Sequence, residues 1–521
     1  MPSAHPIAAP SSRPPRLRPP PPPRPPPPAE EPPLKFPDHA EIIVLGGGTA
    51  GCVVAGRLAR RHRVLVLEAG PDYGSDRASW PADLLDATTL PTSHDWGYRG
   101  PRHVYERCRV IGGCSTHNGC TQSSGWAGDY DAWAAAGSPG WDSATLRPLF
   151  DKASATMRLR TYRQDEIQPF QQHFIAAGAA LGLPVRNDFE DLAGGLGIGC
   201  APVNITPDGV RVNTAFAYLD PVREQGNLTV IGGVQADRIV LRNGRAVAVD
   251  VLHDGRRHRI HADLVVLSAG AYGSPEVLLR SGIGPAAHLA EVGVEVRHEL
   301  PGVGENLHDH PSVQLEFAGS AELAADLADF ARARMLPDEQ ALAKLRSPHA
   351  GDAPYDLHVY PWVERDATTE HAWRCIVPVA LLRPRARGSV RLRSGDPYAL
   401  AHVDHAYLTH PDDLEALAHG LGWIRELDLS PYLGPALLTP EGDIHDWIKA
   451  NHQHYWHPAG SCRMGPADDP SAVVDHTGKV HGLEGLHVAD ASVFPDIPRS
   501  TPALPTTVVG ERVAAFIEET L

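Results

Sequence analysis

Residues 40–45 read AEIIVL, a short β-branched strand that runs straight into Gly46-Gly47-Gly48-Thr49-Ala50-Gly51. An alanine-rich helical stretch follows to about residue 61, and a second apolar run, VLVL at 64–67, ends on Glu68. Strand, glycine-rich turn, helix, strand and acid in this order form a βαβ unit with GxGxxG at its first turn. No other stretch constrains the fold as tightly: it commits the chain to a Rossmann-type α/β core. Gly46, Gly48 and Gly51 permit a tight turn and close approach to a pyrophosphate, whose charge sits at the helix N-terminus. Glu68 is placed to accept hydrogen bonds from an adenosine ribose. At this point FAD and NAD are both open.

Composition narrows the class. Of 521 residues, 42% are hydrophobic and 21% charged, as in an ordinary globular protein. The 50 prolines are unevenly spread, with 17 of them in the first 37 residues. That stretch has too little apolar surface to offset its ordering entropy, so residues 1–37 are expected to be disordered. It lacks the apolar stretch of about 7–15 residues that a signal peptide requires. No window reaches the 18 or more apolar residues of a membrane span. The net charge of −16 argues against a nucleic-acid footprint, which needs clustered positive charge. Seven scattered cysteines, without a signal peptide, fit a reducing cytoplasm better than a disulfide framework. Neither HExxH nor paired CxxC occurs, and no metal site is expected.

Later blocks decide between the cofactors. A glycine-rich loop, RVIGGCSTHNGC, spans 109–120; AGAYGSP begins at 269 and continues through LLRSGIGP at 278–285; PGVGENLHDH spans 301–310. Near the end come HPAGSCRMG at 457–465 and VADASVFP at 488–495. Together these blocks resemble the glucose-methanol-choline (GMC) flavoprotein oxidoreductases over about residues 40–521. The resemblance implies that the Rossmann unit binds FAD. It places Gly112, Gly113, His117, Asn118, Asp490, Ala491 and Pro502 beside the cofactor, in addition to the glycines and Glu68, and Val234 near its adenine. Within the family the 112–120 loop is most similar to the choline oxidase branch, where a histidine at this position is bonded to the flavin 8α carbon. His117 is therefore expected to be a covalent tether.

Oxidising an alcohol at a flavin requires removing the hydroxyl proton and passing a hydride to N5. Histidine suits the first task because its pKa lies near working pH. The resemblance puts His457 at the family's catalytic histidine, ahead of the nearby His452 and His454. It puts Thr501 at a second catalytic position usually held by asparagine or histidine, with Ser500 as the neighbour in a shifted register. Ser312 stands where the choline branch carries a glutamate against the trimethylammonium group, so choline loses its counter-charge and is not the expected substrate. His358 and Trp456 are expected in the substrate pocket with Ser312; Tyr360, Trp362 and Trp373 are further aromatic candidates.

The expected architecture interleaves two units in an α/β (α+β) fold. Segments 38–158, 208–310 and 455–521 assemble a Rossmann-type FAD-binding domain. Segments 159–207 and 311–454 form a substrate-binding domain on an antiparallel sheet. Residues 240–251 form an apolar, β-rich run, 377–382 reads as a strand and 321–346 as helix. The implied activity is FAD-dependent oxidation of an alcohol or aldehyde hydrate to a carbonyl, with oxygen or another acceptor reoxidising the flavin. The alternative is a lyase of the same fold that keeps FAD as a structural element and uses His457 for proton transfer. A cytoplasmic homodimer without nucleic-acid or membrane partners completes the expectation.

Overall fold

The computed structural model describes residues 35–100, 102–337 and 339–521. The disorder expected for the proline-rich start falls on residues 1–34, outside the described residues. The unit from Pro37 to Leu521 is built on two seven-stranded sheets.

The first sheet grows from the βαβ unit. Strand β1 (His39–Leu45) leads into helix α1 (Thr49–Leu58) and strand β2 (Val64–Leu67), and β1 and β2 pair in parallel. Ile42 to Leu45 and all of β2 are buried, as a strand covered on both faces demands. Strand Leu228–Ile231 extends the sheet beside β2. On the other side, Arg256–Leu267 runs parallel to β1 along 261–267, while its first half pairs antiparallel with Arg245–His253. Leu486–Val488, close to the end of the chain, joins Arg256–Leu267 at Val265 to Leu267. The apolar, β-rich run at 240–251 lies in a hairpin, Gln235–Arg242 and Arg245–His253. Asn243 and Gly244 both adopt positive φ, the pattern of a two-residue turn that continues the strand twist.

The second sheet is antiparallel throughout, in the order Leu433–Leu438, Ser312–Gly319, Trp373–Leu381, Leu357–Val359, Ala341–Leu345, Gly197–Cys200, with Trp362–Arg365 also on Trp373–Leu381. One face packs against helices Pro169–Ala180, Ala321–Phe330 and Pro411–Glu426, which contribute Phe170, Phe174, Leu323, Leu327, Leu417 and Leu421 to a common core. Alternation along Ala341–Leu345 shows the division: Ala341, Ala343 and Leu345 join that core, while Leu342 turns the other way to meet Tyr360 and Cys120. The helix expected over 321–346 ends at Phe330. Pro337 lies in the break, and Ala341–Leu345 finds strand partners on both sides, which outweighs the helix propensity of its alanines. Among the described residues, no helix is long and apolar enough to cross a membrane.

Candidate active site

One elongated cavity of about 690 Å³ runs from the C-terminal ends of β1 and β2 to the second sheet. Its first end is made largely of backbone. Gly46 has φ +96, and a Cβ there would lie 2.4 Å from the carbonyl oxygen of Ser268. A Cβ on Gly51 would lie 2.0 Å from the carbonyl oxygen of Gly46, so only glycine lets the turn fold back against the start of α1. Glu68 closes this end: its carboxylate accepts the N–H groups of Gly47 and Gly70, each at 2.8 Å. Burial pushes its carboxyl up, and the two donors oppose that shift. Gly48, Glu68 and Val234 line the wall, and Asp490 holds a neighbouring turn by accepting from Gly270 N–H at 2.9 Å and Ser274 Oγ–H at 2.6 Å. Gly51 and Gly112 stand behind the lining; Gly112 N–H donates to Gly47 O at 2.7 Å and ties the two glycine loops together.

The middle of the cavity is the loop after Gly112. A one-turn 3-10 helix, Gly113–Thr116, delivers His117 and Asn118 to the wall. Cys114 lines the wall too. Although burial raises its thiol, the Arg107 guanidinium and a hydrogen bond with His117 pull it down to about 6. Ala491, Pro502 and Thr501 face the same space. The Thr501 hydroxyl donates to Thr121 O at 3.1 Å and accepts from Ser123 N–H at 3.2 Å. Its single proton is thus committed to the backbone. Ser500 lies outside the lining.

His457 stands at the far end. Its Nδ1 lies 2.9 Å from Nδ1 of His310, so one ring donates and the other accepts. Burial, reinforced by the charges of His310 and Arg107, pushes its imidazole well below the ordinary value. The imidazole is therefore neutral at pH 7, with a lone pair free to accept a proton, while its burial opposes holding the charge that results. Trp456, beside it, lines the cavity at φ +58, a left-handed conformation that costs a bulky residue about 1–3 kcal/mol. His452 and His454 lie outside the lining and pack against His103, the first edge-on and the second tilted. His358 lines the cavity with neither ring nitrogen hydrogen-bonded, and burial, followed by the charge of Lys344 on the next strand, holds its pKa near 3.

Ser312 departs from expectation. It does not line the cavity; it pairs with Gln453 and sits behind the wall. Glu316 is turned away as well, accepting from Gln314 and Arg374. The second sheet and the residues flanking its strands instead present Glu339, His358, Tyr360, Trp362 and Glu364 to the cavity, while Trp373 stays in the helix-side core. Glu339 enters beside Gly119, where a Cβ would lie 2.6 Å from its Oε2. Glu339, Glu106, Arg107 and Tyr455 escaped sequence reasoning. The absence of any side chain at Gly119, directly after the histidine loop, was the one local sign that another element approaches there.

A glycine cradle closed by an acid, continuous with a histidine-lined chamber, fits a long nucleotide cofactor with its reactive ring beside His457. Residues 40–312 and 384–510 match the N- and C-terminal parts of the GMC oxidoreductase family. The chain therefore belongs to that family of FAD-dependent enzymes that oxidise alcohols. A GMC-type oxidoreductase of Rhodococcus erythropolis is 33% identical over 505 residues, covering 92% of this chain and 98% of that protein. Choline oxidase of Arthrobacter globiformis is 32% identical over 524 residues, covering 92% and 94%. The crystal structure of pyridoxine 4-oxidase from Mesorbium loti superposes with a TM-score of 0.80 at 27% identity, covering 92% of this chain and 99% of that one.

Proposed function

We propose that the protein oxidises a cationic alcohol to a carbonyl compound with His457 as the base. FAD would be held by Gly46, Gly48, Glu68, Val234 and Asp490 along its nucleotide and by His117 and Asn118 at its ring, and when bound it supplies the hydride acceptor. In this reading residues 38–158, 208–310 and 455–521 hold the cofactor, and 159–207 and 311–454 shape the substrate space. The observation that carries the base assignment is the position of the His457 ring at the cavity wall, oriented through Nδ1 by His310. It takes the hydroxyl proton as the C–H bond breaks. Thr501, its proton given to Thr121 O, offers the alkoxide no donor and acts by fixing the 121–123 backbone. His117 is read as the covalent tether.

The substrate's charge follows from the second sheet's contribution: two carboxylates, two aromatic rings and a neutral histidine. Among the described residues, no lysine or arginine from 311–454 lines the cavity, and Arg107, which does line it, donates to Trp456 O. Such a wall favours a positively charged group with an apolar body. The carboxylates Glu339 and Glu364 occupy the role that sequence reasoning sought at Ser312, which keeps choline and similar amino alcohols among the candidates, as the relative named choline oxidase also suggests.

The test is anaerobic mixing of the yellow enzyme with cationic and neutral alcohols. Bleaching by cationic alcohols, slowed at least 100-fold in His457→Ala, is the expected result, and acid precipitation should leave the colour on the protein. Product without bleaching would establish the lyase instead. Equal bleaching by neutral alcohols would remove the charge assignment, and colour in the acid supernatant would remove the tether.

A further inference from the structure

The backbone around His457 is irregular. Two antiparallel bridges, His308 with Ala459 and Ser312 with Gln453, join the segment after the glycine-rich 301–307 stretch to the segment carrying the base. Between these bridges one side has residues 309–311 and the other 454–458, so the second bulges outward by two residues. Bulged N–H groups lose their ladder partners and need others.

Asp309 supplies them. Its Oδ1 accepts the His457 N–H at 2.8 Å, and its Oδ2 lies 3.4 Å from the Tyr455 nitrogen, whose N–H points at it. The Tyr407 hydroxyl donates to the same Oδ2 at 2.7 Å and fixes the carboxylate's rotation. From the opposite side the Arg107 guanidinium donates to Trp456 O at 2.9 Å. One carboxylate thus grips the residues on either side of left-handed Trp456, and one guanidinium grips Trp456 itself. Asp309 is 2% exposed, and these contacts occupy it fully. The next residue, His310, meets the His457 ring.

We propose that Asp309 is a positioning residue for the reaction: it holds His457 by its main chain, at the depth where Nδ1 meets His310 and the other edge of the ring faces the cavity. Asp309 touches neither substrate nor cofactor and acts only through His457. The inference rests on His457 being the base.

The experiment is anaerobic stopped-flow reduction of the holoenzyme in Asp309→Asn, Tyr407→Phe, His457→Ala and the Asp309→Asn/His457→Ala double variant. A side-chain amide presents one oxygen where the carboxylate presents two, so one main-chain N–H loses its acceptor. Displacing the base by about 1 Å costs on the order of 100-fold in rate. Asp309→Asn is expected to lower the limiting rate of flavin reduction about that much, with the substrate dissociation constant within twofold and the flavin spectrum unchanged. In the His457→Ala background it should cost nothing further, because its route of action is gone. A wild-type rate in Asp309→Asn, a loss confined to substrate binding, or the full factor repeated in the double variant would each overturn the proposal. If Asp309→Asn fails to fold, Tyr407→Phe decides: a loss of threefold or more supports the clamp, and a wild-type rate overturns it. A wild-type rate in His457→Ala would instead refute the base assignment, leaving Asp309 without a group to position.

Discussion

The two ends of the cavity are built by different means. At the nucleotide end the contacts are mostly main-chain and satisfied: both Glu68 oxygens accept N–H groups, and Asp490 accepts from Gly270 N–H and the Ser274 hydroxyl. At the substrate end the wall is made of side chains from distant segments, and His358 lies there with both ring nitrogens unbonded. A cofactor that stays bound is best held by a saturated, rigid cradle. A substrate that comes and goes meets groups whose hydrogen-bonding capacity is still unspent, and their burial is a standing cost to stability.

The comparison breaks most visibly at Gly51. Its Cβ would meet the Gly46 carbonyl, backbone against backbone, with no side chain free to yield. Gly51→Ala should cost about 3 kcal/mol or more and abolish retention of FAD, read by thermal melting and flavin absorbance. A yellow variant with the wild-type melting temperature would show that the cradle is adaptable after all.

Acid sharpens the contrast at the other end. His308, His358 and His454 are buried with pKa values held near 3, chiefly by desolvation. Below the unfolded value of about 6.5 the unfolded chain binds protons that the native state refuses, so stability falls as pH falls towards 3. Each histidine contributes about 1.4 kcal/mol per pH unit in that window. Glu68, whose carboxyl burial raises, imposes no such penalty. Melts at pH 7 and pH 5 should diverge less in His358→Gln than in the wild type; an unchanged gap would mean that His358 is protonated in the native protein.

The smallest effect on stability is expected at Gly119→Ala. The clash is with the carboxylate end of the Glu339 side chain and not with backbone, so the melting temperature should move little, by less than about 0.5 kcal/mol in equivalent stability. Displacing the carboxylate should raise KM severalfold for cationic alcohols and leave neutral ones unaffected. An equal change for both would detach Glu339 from charge recognition.

The same contrast explains what was legible in the sequence. The cradle is written in consecutive residues, because Gly46, Gly48, Gly51 and Glu68 belong to one βαβ unit whose spacing is set by main-chain geometry. His457 was reachable through its flanking motif. Glu339 was not, since it reaches Gly119 from a segment 220 residues later, and nothing near it in sequence marks the approach. Ser312 shows the opposite error. Its hydroxyl turns to the carbonyls of Gln453 and His454, away from the cavity. The expected helix over 321–346 failed for a related reason, as partners on both sides of Ala341–Leu345 are visible only in three dimensions.

Leu486–Val488 completes the first sheet against a strand from the middle of the chain, next to β1 from its beginning. The first sheet is therefore complete only when nearly the whole chain has been made. A ribosome that has made four-fifths of the protein has made the glycine cradle, but neither its last strand nor His457 nor Thr501. A truncation short of residue 486 would leave the glycine-rich turn in a sheet that lacks its strand on Arg256–Leu267.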